Sequence, residues 1–461
     1  MAGLYLPYPD PKQQVTPVAY SKTDHEPQLD DSVTAELIRY FEDYPLERPY
    51  SAHFGELGQR TGLLRDLLNA AEESQDPSQQ EALLATVDRG AASLYPYLHR
   101  PPKGSPLTGG LSHLRSSFIP GSAGIVIPVG NANVRFAAQL IASMRHVLRS
   151  MLPIQVVYAG EDDLSPDNRK FLAAVVKSMG PPIEFLDILT VFDDETLRLR
   201  DGTWAIKPFA VLGSHFEKVI LVDADAVFLQ KPEVLLDQLA FQRSGTLLFR
   251  DRLIFQHTYY IRHKWWRSQI KHPSETLNKS RAWTDDYGEE GDSGVVVLDK
   301  GRTGVLLGLL HTCWQNSYKV REEVTYQIMY GDKESWWMGL ELTGARYEME
   351  EHYAAIVGWP REAVLPKDKR AKVCSFVIAH LDENDKLLWY NGGLLKNKKM
   401  PRMGYEVPTS WMVDGEWQKG YEKEDMSCMV GADINDLSGG ETETLKTSVK
   451  VAKTIDAALQ N

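Results

Sequence analysis

The chain has 461 residues, 51 of them lysine or arginine and 63 of them aspartate or glutamate, which gives a formal net charge of −12. Its content of 43% hydrophobic and 25% charged residues is that of a globular protein and excludes a disordered, collagen-like or disulfide-scaffold chain. Because a general nucleic-acid binder needs a basic face and a membrane span needs ~18–20 apolar residues in a row, we expect neither nucleic-acid binding nor a membrane span.

The first part of the chain divides into a tail and a helical region. Residues 1–30 are rich in proline and glutamine, so we expect an irregular N-terminal tail. Over 31–105, apolar residues recur at helical spacing, and Asp76 and Pro77 provide the N-cap and first-turn proline of a helix that should reach about Tyr95. We therefore expect a helical stem subdomain at 31–105, which ends in a proline-rich linker.

Beyond the linker, short apolar strands alternate with helical segments. Strands are predicted at Gly124–Val129, Ile154–Tyr158, Ile183–Leu186 and Val219–Val222, and helices from about Asn133 to Ser150 and from Ser165 to Gly180. This alternation is typical of an α/β fold of Rossmann-like type, in which a mixed, mostly parallel sheet is flanked by helices. We assign 118–425 to this domain and 426–461 to a polar C-terminal tail, whose last helical piece should attach only loosely.

The cysteines indicate no disulfide framework. The chain has three cysteines, an odd number, at Cys313, Cys374 and Cys428. They are widely spaced and show no CxxC or zinc-binding pattern. They do not indicate whether the protein works in a reducing or an oxidising compartment.

The most informative segment is KVILVDADAVFL at 218–229. Asp223 and Asp225 stand two positions apart, so their side chains project from the same face of an extended segment. They follow an apolar strand, at the end where open α/β sheets bind ligands. Two like charges this close raise each other's pKa unless a cation neutralises them, and a divalent metal that bridges to a diphosphate is the natural cation.

Two enzyme chemistries use such an aspartate pair. In a haloacid-dehalogenase-like phosphatase, Asp223 would be the nucleophile and Asp225 the general acid. In a glycosyltransferase of GT-A type, the pair would hold a metal and a sugar nucleotide. The phosphatase motif normally opens its domain, whereas two βα units precede it here and no later acidic pair completes a phosphatase site, so the order of elements favours the transferase. A non-catalytic glycan-binding protein on a transferase scaffold is a further alternative.

Several later residues are candidates for the same site. His380 ends a strand and can supply a nitrogen ligand to a metal, and Lys386 can supply a positive charge for a phosphate. Asp292 lies at the mouth of a buried strand, where Gly294 allows close approach of a ligand. Lys207 opens the helix before the aspartate pair and would add to the positive end of the helix dipole, which suits a diphosphate.

The segment GDKESWWMG at 331–339 combines acidic and aromatic side chains. Asp332 and Glu334 could orient sugar hydroxyls, and an indole face could stack on a pyranose ring. Because tryptophan is usually highly buried, we expect one of Trp336 and Trp337 in the core and the other at the ligand.

Taken together, these segments resemble the fungal mannan-branching α-mannosyltransferases of glycosyltransferase family 71, which are α-1,2- and α-1,3-mannosyltransferases of the Golgi. The resemblance covers roughly Gly121 to Leu395 and rests on stretches that include GIVIPVGNANVRFAAQ, WAIKPFAVLGSHFEKVILVDADAVFLQKPEVL, GDSGVVVLDK, YGDKESWWMG and IAHLDENDKLLWYNGG. It spans a whole catalytic domain but neither the stem nor the tail.

The resemblance implies a GT-A catalytic domain at 118–425, GDP-mannose as donor, a divalent metal (usually Mn²⁺) and retention of configuration at the anomeric carbon. By the same resemblance, Asp223, Asp225 and His380 are metal ligands, and Lys386 is the phosphate-binding lysine. A nitrogen ligand would favour Mn²⁺ over Mg²⁺. The resemblance also places the nucleotide along the segment that contains Pro128, Gly130, Asn131 and Arg135.

We therefore expect a metal-dependent retaining mannosyltransferase that moves mannose from GDP-mannose to a mannose-containing oligosaccharide or glycoprotein, in α-1,2 or α-1,3 linkage. Asp292, Asp332 and Glu334 are the candidates for the carboxylate near the anomeric carbon or the acceptor hydroxyl. Because members of the family carry an N-terminal membrane anchor, we expect the Golgi lumen if an anchor was removed from this chain, and otherwise a soluble protein.

Overall fold

The structure of the protein is a computed structural model that describes residues 31–176, 180–361, 371–422 and 424–460. The irregular tail predicted at 1–30 lies outside these residues. Over the described ranges, no helix is both long and apolar enough to cross a bilayer.

The stem consists of helices α1 (Asp31–Asp43), α2 (Phe54–Glu73), α3 (Pro77–Leu94) and α4 (Gly110–Ser116). Helix α3 begins as predicted, because the Asp76 side chain accepts a hydrogen bond from the Ser78 amide and Pro77 opens the helix. The rings of Phe54 in α2 and Trp314 pack 4.9 Å apart within one continuous apolar core. The stem is therefore packed directly on the α/β domain.

The strands follow in chain order. They are β1 (Ile119–Pro128), β2 (Ile154–Tyr158), β3 (Ile183–Asp187), β4 (Phe216–Val222), β5 (Ala226–Phe228), β6 (Thr246–Arg250), β7 (Gly291–Asp299), β8 (Met349–Tyr353), β9 (Ile356–Arg361), β10 (Lys372–Ser375), β11 (Ile378–Leu381), β12 (Leu387–Asn391), β13 (Ser410–Met412), β14 (Glu416–Gln418), β15 (Ser427–Val430) and β16 (Asn435–Asp436). Each of the four predicted strands lies within or overlaps one of these, as β1 to β4.

The central sheet has the order β3-β2-β1-β4-β7-β6-β8. Strands β3, β2, β1 and β4 are parallel to one another, as are β6 and β8, whereas β7 is antiparallel to both β4 and β6. The predicted mixed, mostly parallel sheet is confirmed. The other two sheets are smaller and have the orders β14-β15-β10-β9-β13-β16 and β11-β12-β5.

The remaining helices surround these sheets. They are α5 (Val134–Ala142), α6 (Pro166–Val175), α7 (Asp194–Leu197), α8 (Ile206–Gly213), α9 (Val234–Asp237), α10 (Leu239–Ser244), α11 (Tyr260–Gln269), α12 (Glu275–Asn278), α13 (Arg281–Thr284), α14 (Thr303–Gln315), α15 (Tyr318–Val320), α16 (Tyr326–Ile328), α17 (Ser335–Leu342) and α18 (Gly439–Leu459). Helix α5 continues as a π-helical turn at Ser143–Val147, and α6 ends at Val175, before the predicted Gly180.

Three strand ends meet at one edge of the central sheet. Because β1 and β4 are parallel and β7 is antiparallel to β4, the last residues of β1 and β4 lie at the same edge as the first residues of β7. The Asp223 amide donates to the Gly294 carbonyl over 2.8 Å at this edge. Strand β5 follows the aspartate pair and pairs with β12, where Asn391 lies opposite Ala226. This pairing brings the chain after Asn391 to the same edge.

The C-terminal helix α18 is firmly attached, so the expectation of a loose tail was wrong. A capping box between Ser438 and Glu441 starts the helix. Its Asp456 carboxylate accepts hydrogen bonds from Arg135 of α5 at 2.7 and 2.6 Å and from Tyr405. The helix therefore covers α5 through a partly buried, charged hydrogen-bond network that sequence periodicity alone does not reveal.

A disulfide joins Cys374 and Cys428, which lie directly opposite each other on the antiparallel strands β10 and β15. The spacing of the cysteines gave no indication of this bridge, because the pairing depends on strand register. Cys313 lies buried in the core.

The disulfide leads to two predictions, one on the linked peptide and one on the free energy of unfolding. Peptide mapping of the non-reduced protein should find Cys374 linked to Cys428. The double variant Cys374→Ser/Cys428→Ser should lose ~2–4 kcal/mol of unfolding free energy, because the bridge restricts the unfolded chain over a separation of 54 residues. Wild type treated with reductant is the matched control and should lose the same amount. Alkylation of both thiols in the native, non-reduced protein would contradict the pairing.

Candidate active site

A cavity of about 710 Å³ opens at the edge where β1, β4 and β7 meet. Its lining includes Pro128, Gly130, Asn133, Phe136, Asp163, Arg200, Asp201, Lys207, Asp223, Asp225, Asp292, Asp332, Lys333, Lys398 and Lys399. A larger cavity of about 1060 Å³ lies along β8 and contains none of the residues that the sequence predicted for the site. The smaller cavity is therefore the candidate active site.

The two aspartates of the pair have different surroundings. An oxygen of Asp223 lies 2.7 Å from the Lys207 amine, and Asp225 forms an ion pair with Lys398. Burial raises the pKa of Asp223 to about 7, and the nearby carboxylates of Asp225 and Asp332 add to this effect against the charge of Lys207. Asp223 therefore lies beside other carboxylates while Lys207 is its nearby positive charge, a local condition that a divalent cation would relieve.

Lys207 is buried and joins three parts of the site. Its amine lies between Asp223 and Asp332, at 2.7 and 3.6 Å, and donates to the carbonyl and hydroxyl oxygens of Ser293 at 3.1 and 3.2 Å. Although burial alone would lower the pKa of Lys207, the two aspartates raise it above its usual value. Lys207 therefore neutralises the carboxylates and ties α8 to β7, where the sequence had suggested a diphosphate contact.

Asp292, at the start of β7, is held in one orientation by its neighbours. One oxygen accepts from the Gly294 amide at 2.9 Å, and the other lies 3.2 Å from Nε2 of His380. Burial alone would raise the pKa of Asp292, but the hydrogen bond from His380 and the charge of Lys333 lower it below its usual range. The carboxylate that faces the cavity is therefore ionised.

His380 is completely buried behind Asp292 and does not line the cavity. Its Nδ1 lies 2.7 Å from a Glu350 oxygen, and its ring stacks on Trp389 with centroids 4.4 Å apart. Burial opposes protonation, yet Glu350 and Asp292 raise the pKa of His380 to about 9, so the ring carries a positive charge. Both ring nitrogens are engaged, and His380 positions Asp292.

The predicted three-residue metal shell of Asp223, Asp225 and His380 does not form in the structure. Among the described residues, no group of three histidine, cysteine, aspartate or glutamate side chains is arranged to hold a metal ion. Of the three predicted ligands, Asp223 and Asp225 line the cavity and His380 does not. Without an imidazole ligand, the structural reason to prefer Mn²⁺ over Mg²⁺ is lost.

The residues from Asp332 to Trp337, which lead into α17, lie partly at the cavity and partly in the core. Asp332 lines the cavity and accepts from the Trp336 indole at 2.8 Å. Glu334 is fully buried outside the cavity, where it accepts from the Trp337 indole and the Glu290 amide, and burial with the charge of Glu289 raises its pKa to about 8. Both indoles are buried, so the expectation that one tryptophan faces the ligand was wrong.

The segment after β1 supplies fewer ligand contacts than predicted. Pro128 and Gly130 line the cavity, as do Asn133 and Phe136. Asn131 and Arg135 do not line it. The Asn131 side chain instead accepts from the Ser165 amide and the Asn168 amide group at 3.0 and 2.8 Å, and Arg135 binds Asp456. Both residues therefore stabilise the surrounding structure. The sequence analysis did not identify Asn133 and Phe136 as cavity residues.

The lysines that line the cavity do not include the predicted Lys386. Lys386 is exposed on the turn between β11 and β12 and does not line the cavity, whereas Lys398 and Lys399 do. The amides of Gly392 and Gly393 donate to the Asp225 carbonyl at 3.2 and 2.7 Å, which anchors the chain that leads to these lysines. The glycine pair followed by the KNKK run at 396–399 was the available sequence signal.

An aspartate pair that follows a central strand, with the end of β1 beside it and lysines facing it, is the arrangement of glycosyltransferases of GT-A type. Residues 122–382 match the Mannosyl_trans3 family, described as "Mannosyltransferase putative", over more than half of the chain. The chain belongs to this family.

Named relatives come from fungi. Alpha-1,3-mannosyltransferase MNT2 of Saccharomyces cerevisiae is 25% identical over 323 residues, which cover 64% of this chain and 54% of the relative. Alpha-1,3-mannosyltransferase MNT3 of the same yeast is 27% identical over 274 residues, which cover 53% of this chain and 42% of the relative. The chain spans about half the length of the curated relatives it matches.

One solved structure to which the chain is similar is the mannosyltransferase Ktr4p from S. cerevisiae. It has 10% sequence identity and a TM-score of 0.34, over 70% of this chain and 84% of that one. The galactosyltransferase LgtC, solved with donor and acceptor sugar analogues, has 16% identity and a TM-score of 0.30 over 47% of this chain.

The two lysines give a discriminating prediction. Lys398→Ala should lower the kcat/KM of sugar transfer by at least ~tenfold, which corresponds to ~1.4 kcal/mol, because the cavity loses the charge beside Asp225. Lys386→Ala is the matched control and should leave kcat/KM within twofold of wild type. Steady-state kinetics with varied donor measures both. The reverse pattern would restore Lys386 as the phosphate-binding lysine.

The contact of His380 with Asp292 gives a second prediction. His380→Asn removes the charged donor that lowers the pKa of Asp292, so this pKa should rise. Because transfer needs the ionised carboxylate, the acid limb of the pH–rate profile should move to higher pH, and kcat should fall by at least ~tenfold. Glu350→Gln should shift the limb in the same direction.

His352→Asn is the control, since His352 lies outside this cavity and binds Asp385 and Asp414. Thermal melting of each variant checks that it folds. A folded His380→Asn variant with a wild-type pH profile would show that Asp292 does not need this partner.

Proposed function

We propose that the chain is a metal-dependent retaining mannosyltransferase that transfers mannose from GDP-mannose to a mannose-containing oligosaccharide or glycoprotein. The observation that carries the proposal is the convergence of Asp223, Asp225, Asp292 and Asp332 in one cavity with the end of β1. The named relatives are alpha-1,3-mannosyltransferases, which favours α-1,3 over α-1,2 linkage.

The residues that would hold a divalent metal are Asp223 and Asp225. Their carboxylate oxygens are hard donors, and burial with the neighbouring carboxylates raises the pKa of Asp223, so a bound divalent cation would displace the proton and stabilise the ionised carboxylate. When bound, the metal would neutralise charge on the diphosphate leaving group. Both Mg²⁺ and Mn²⁺ suit this all-oxygen donor set, with Mn²⁺ expected from the family resemblance.

The lysines and the remaining carboxylates would stabilise charges of opposite sign that develop during transfer. Lys398 and Lys399 line the cavity and would stabilise negative charge as the diphosphate leaves. Positive charge develops at the anomeric carbon of the donor at the same time. Asp292 is our candidate to stabilise it, because its pKa is lowered and its orientation is fixed by His380 and Gly294.

We also propose that the protein works in an oxidising compartment such as the Golgi lumen. Disulfides persist in the secretory pathway and are rare in reducing compartments. The Cys374–Cys428 bridge supports this location, and the peptide mapping described above tests it.

One assay tests the transferase proposal. The protein is incubated with a panel of sugar nucleotides and Mn²⁺, with and without α-mannobiose, and nucleotide release and the product disaccharide linkage are measured. GDP-mannose should be turned over, α-mannobiose should be extended, and EDTA should abolish the reaction. Asp225→Ala should reduce turnover by at least ~100-fold, because it removes a metal ligand.

The matched control is Asp433→Ala, which changes an exposed aspartate outside the cavity. Mannan binding without turnover of any sugar nucleotide would instead indicate a glycan-binding protein. Hydrolysis of p-nitrophenyl phosphate that depends on Asp223 would indicate a phosphatase.

A further inference from the structure

Part of the cavity wall is aromatic and exposed to solvent. The side chains of Trp204 and Tyr330 line the cavity and are 43% and 61% exposed. Their ring centroids lie 5.6 Å apart with the planes inclined by 44°. Single exposed aromatic residues are common on protein surfaces, but two that touch each other inside a polar cavity form an apolar surface that a ligand can cover.

The Trp204 ring is held rigidly in spite of its exposure. The backbone of Gly331 lies against the indole, so closely that a Cβ atom at this glycine would come within 2.9 Å of the ring. Gly331 also has a φ of +65°, which favours glycine over other residues. Tyr326 contacts the ring edge-on at 6.2 Å. One part of the indole is therefore supported by protein while another part faces the cavity.

Both aromatic residues are fixed close to the carboxylates of the site. Trp204 belongs to the turn that leads into α8, three residues before Lys207, and Tyr330 lies two residues before Asp332. Lys207 and Asp332 contact each other at 3.6 Å, and Lys207 also contacts Asp223. These short connections limit the distance between the aromatic rings and the carboxylates. A group bound on the aromatic surface therefore lies beside the place where the sugar would be transferred.

The surroundings of the aromatic pair match a sugar ring. The apolar C–H face of a pyranose packs on aromatic rings, and its hydroxyls bind charged side chains at the edge. Arg200 and Asp201 line the cavity next to Trp204 in the chain and are exposed, so they are available to hydroxyl groups. The nucleotide base has its own aromatic partner, Phe136, beside the end of β1 where nucleotides bind in such sheets.

We propose that Trp204 and Tyr330 form the binding platform for the acceptor, and that a terminal pyranose of the acceptor glycan stacks on them. This inference rests on the proposed transferase function and assigns its acceptor subsite. The platform orients the acceptor hydroxyl toward the donor sugar, so it acts on acceptor affinity and reactivity.

Steady-state kinetics with α-mannobiose and GDP-mannose tests the platform. Trp204→Ala and Tyr330→Ala should each raise the KM for α-mannobiose by at least ~tenfold, while the KM for GDP-mannose stays within threefold. Trp204→Phe should recover most of the acceptor affinity, because it keeps an aromatic face. Tyr260→Ala is the control, since Tyr260 is 68% exposed outside the cavity and should leave both KM values unchanged.

A binding measurement separates this inference from the proposed function. In the Asp225→Ala background, which removes turnover, titration with α-mannobiose should change the tryptophan fluorescence, and the added change Trp204→Ala should abolish that response. Such binding, combined with a wild-type protein that turns over no sugar nucleotide, would refute the transferase but retain the platform.

Two results would overturn the platform. One is an increase in the KM for GDP-mannose alone, which would assign the aromatic pair to the nucleotide base. The other is unchanged acceptor KM in Tyr330→Ala, whose highly exposed side chain can be removed without disturbing the core.

Discussion

The site depends on how negative charge is compensated at the carboxyl end of β4. Four of the carboxylates that line the cavity are Asp223, Asp225, Asp292 and Asp332. Without cations, groups this close would repel one another and take up protons. Lys207, buried between Asp223 and Asp332, supplies the fixed part of the compensation. Loss of one partner of a buried ion pair leaves an uncompensated charge. The contacts of Lys207 with Asp223 and Asp332 therefore constrain the position of α8 relative to β4 and α17.

The carboxylates differ in how exchangeable their partners are. Asp292 is held by His380, which is fully buried, and Asp332 by the buried amine of Lys207. The partner of Asp225, Lys398, has a side chain that is 39% exposed. Exchange of a lysine for a metal and a diphosphate is therefore easiest at Asp225. His380 keeps Asp292 ionised and oriented, and Lys207 holds Asp332 in place.

Helix α8 links the chemical centre to the proposed acceptor surface. Trp204 precedes the helix and Lys207 lies in its first turn, so one short element sets both the charge at Asp223 and the aromatic wall of the cavity. A change that moved α8 would therefore alter donor and acceptor binding together. This constraint is a physical reason for the dense apolar packing of the stem and α14 against α8.

The sequence by itself determined the strands β1 to β4, the mostly parallel sheet and the aspartate pair, because each depends on local hydrophobic patterning or on residues adjacent in the chain. Asp292 and Asp332, which the sequence analysis proposed for the site, line the cavity. The tertiary structure alone shows that Lys398 lines the cavity whereas Lys386 does not, and that His380 lies behind Asp292. Those outcomes depend on the pairing of β12 with β5 and on burial, which bring together residues far apart in the chain. A local pattern holds no information on such strand register.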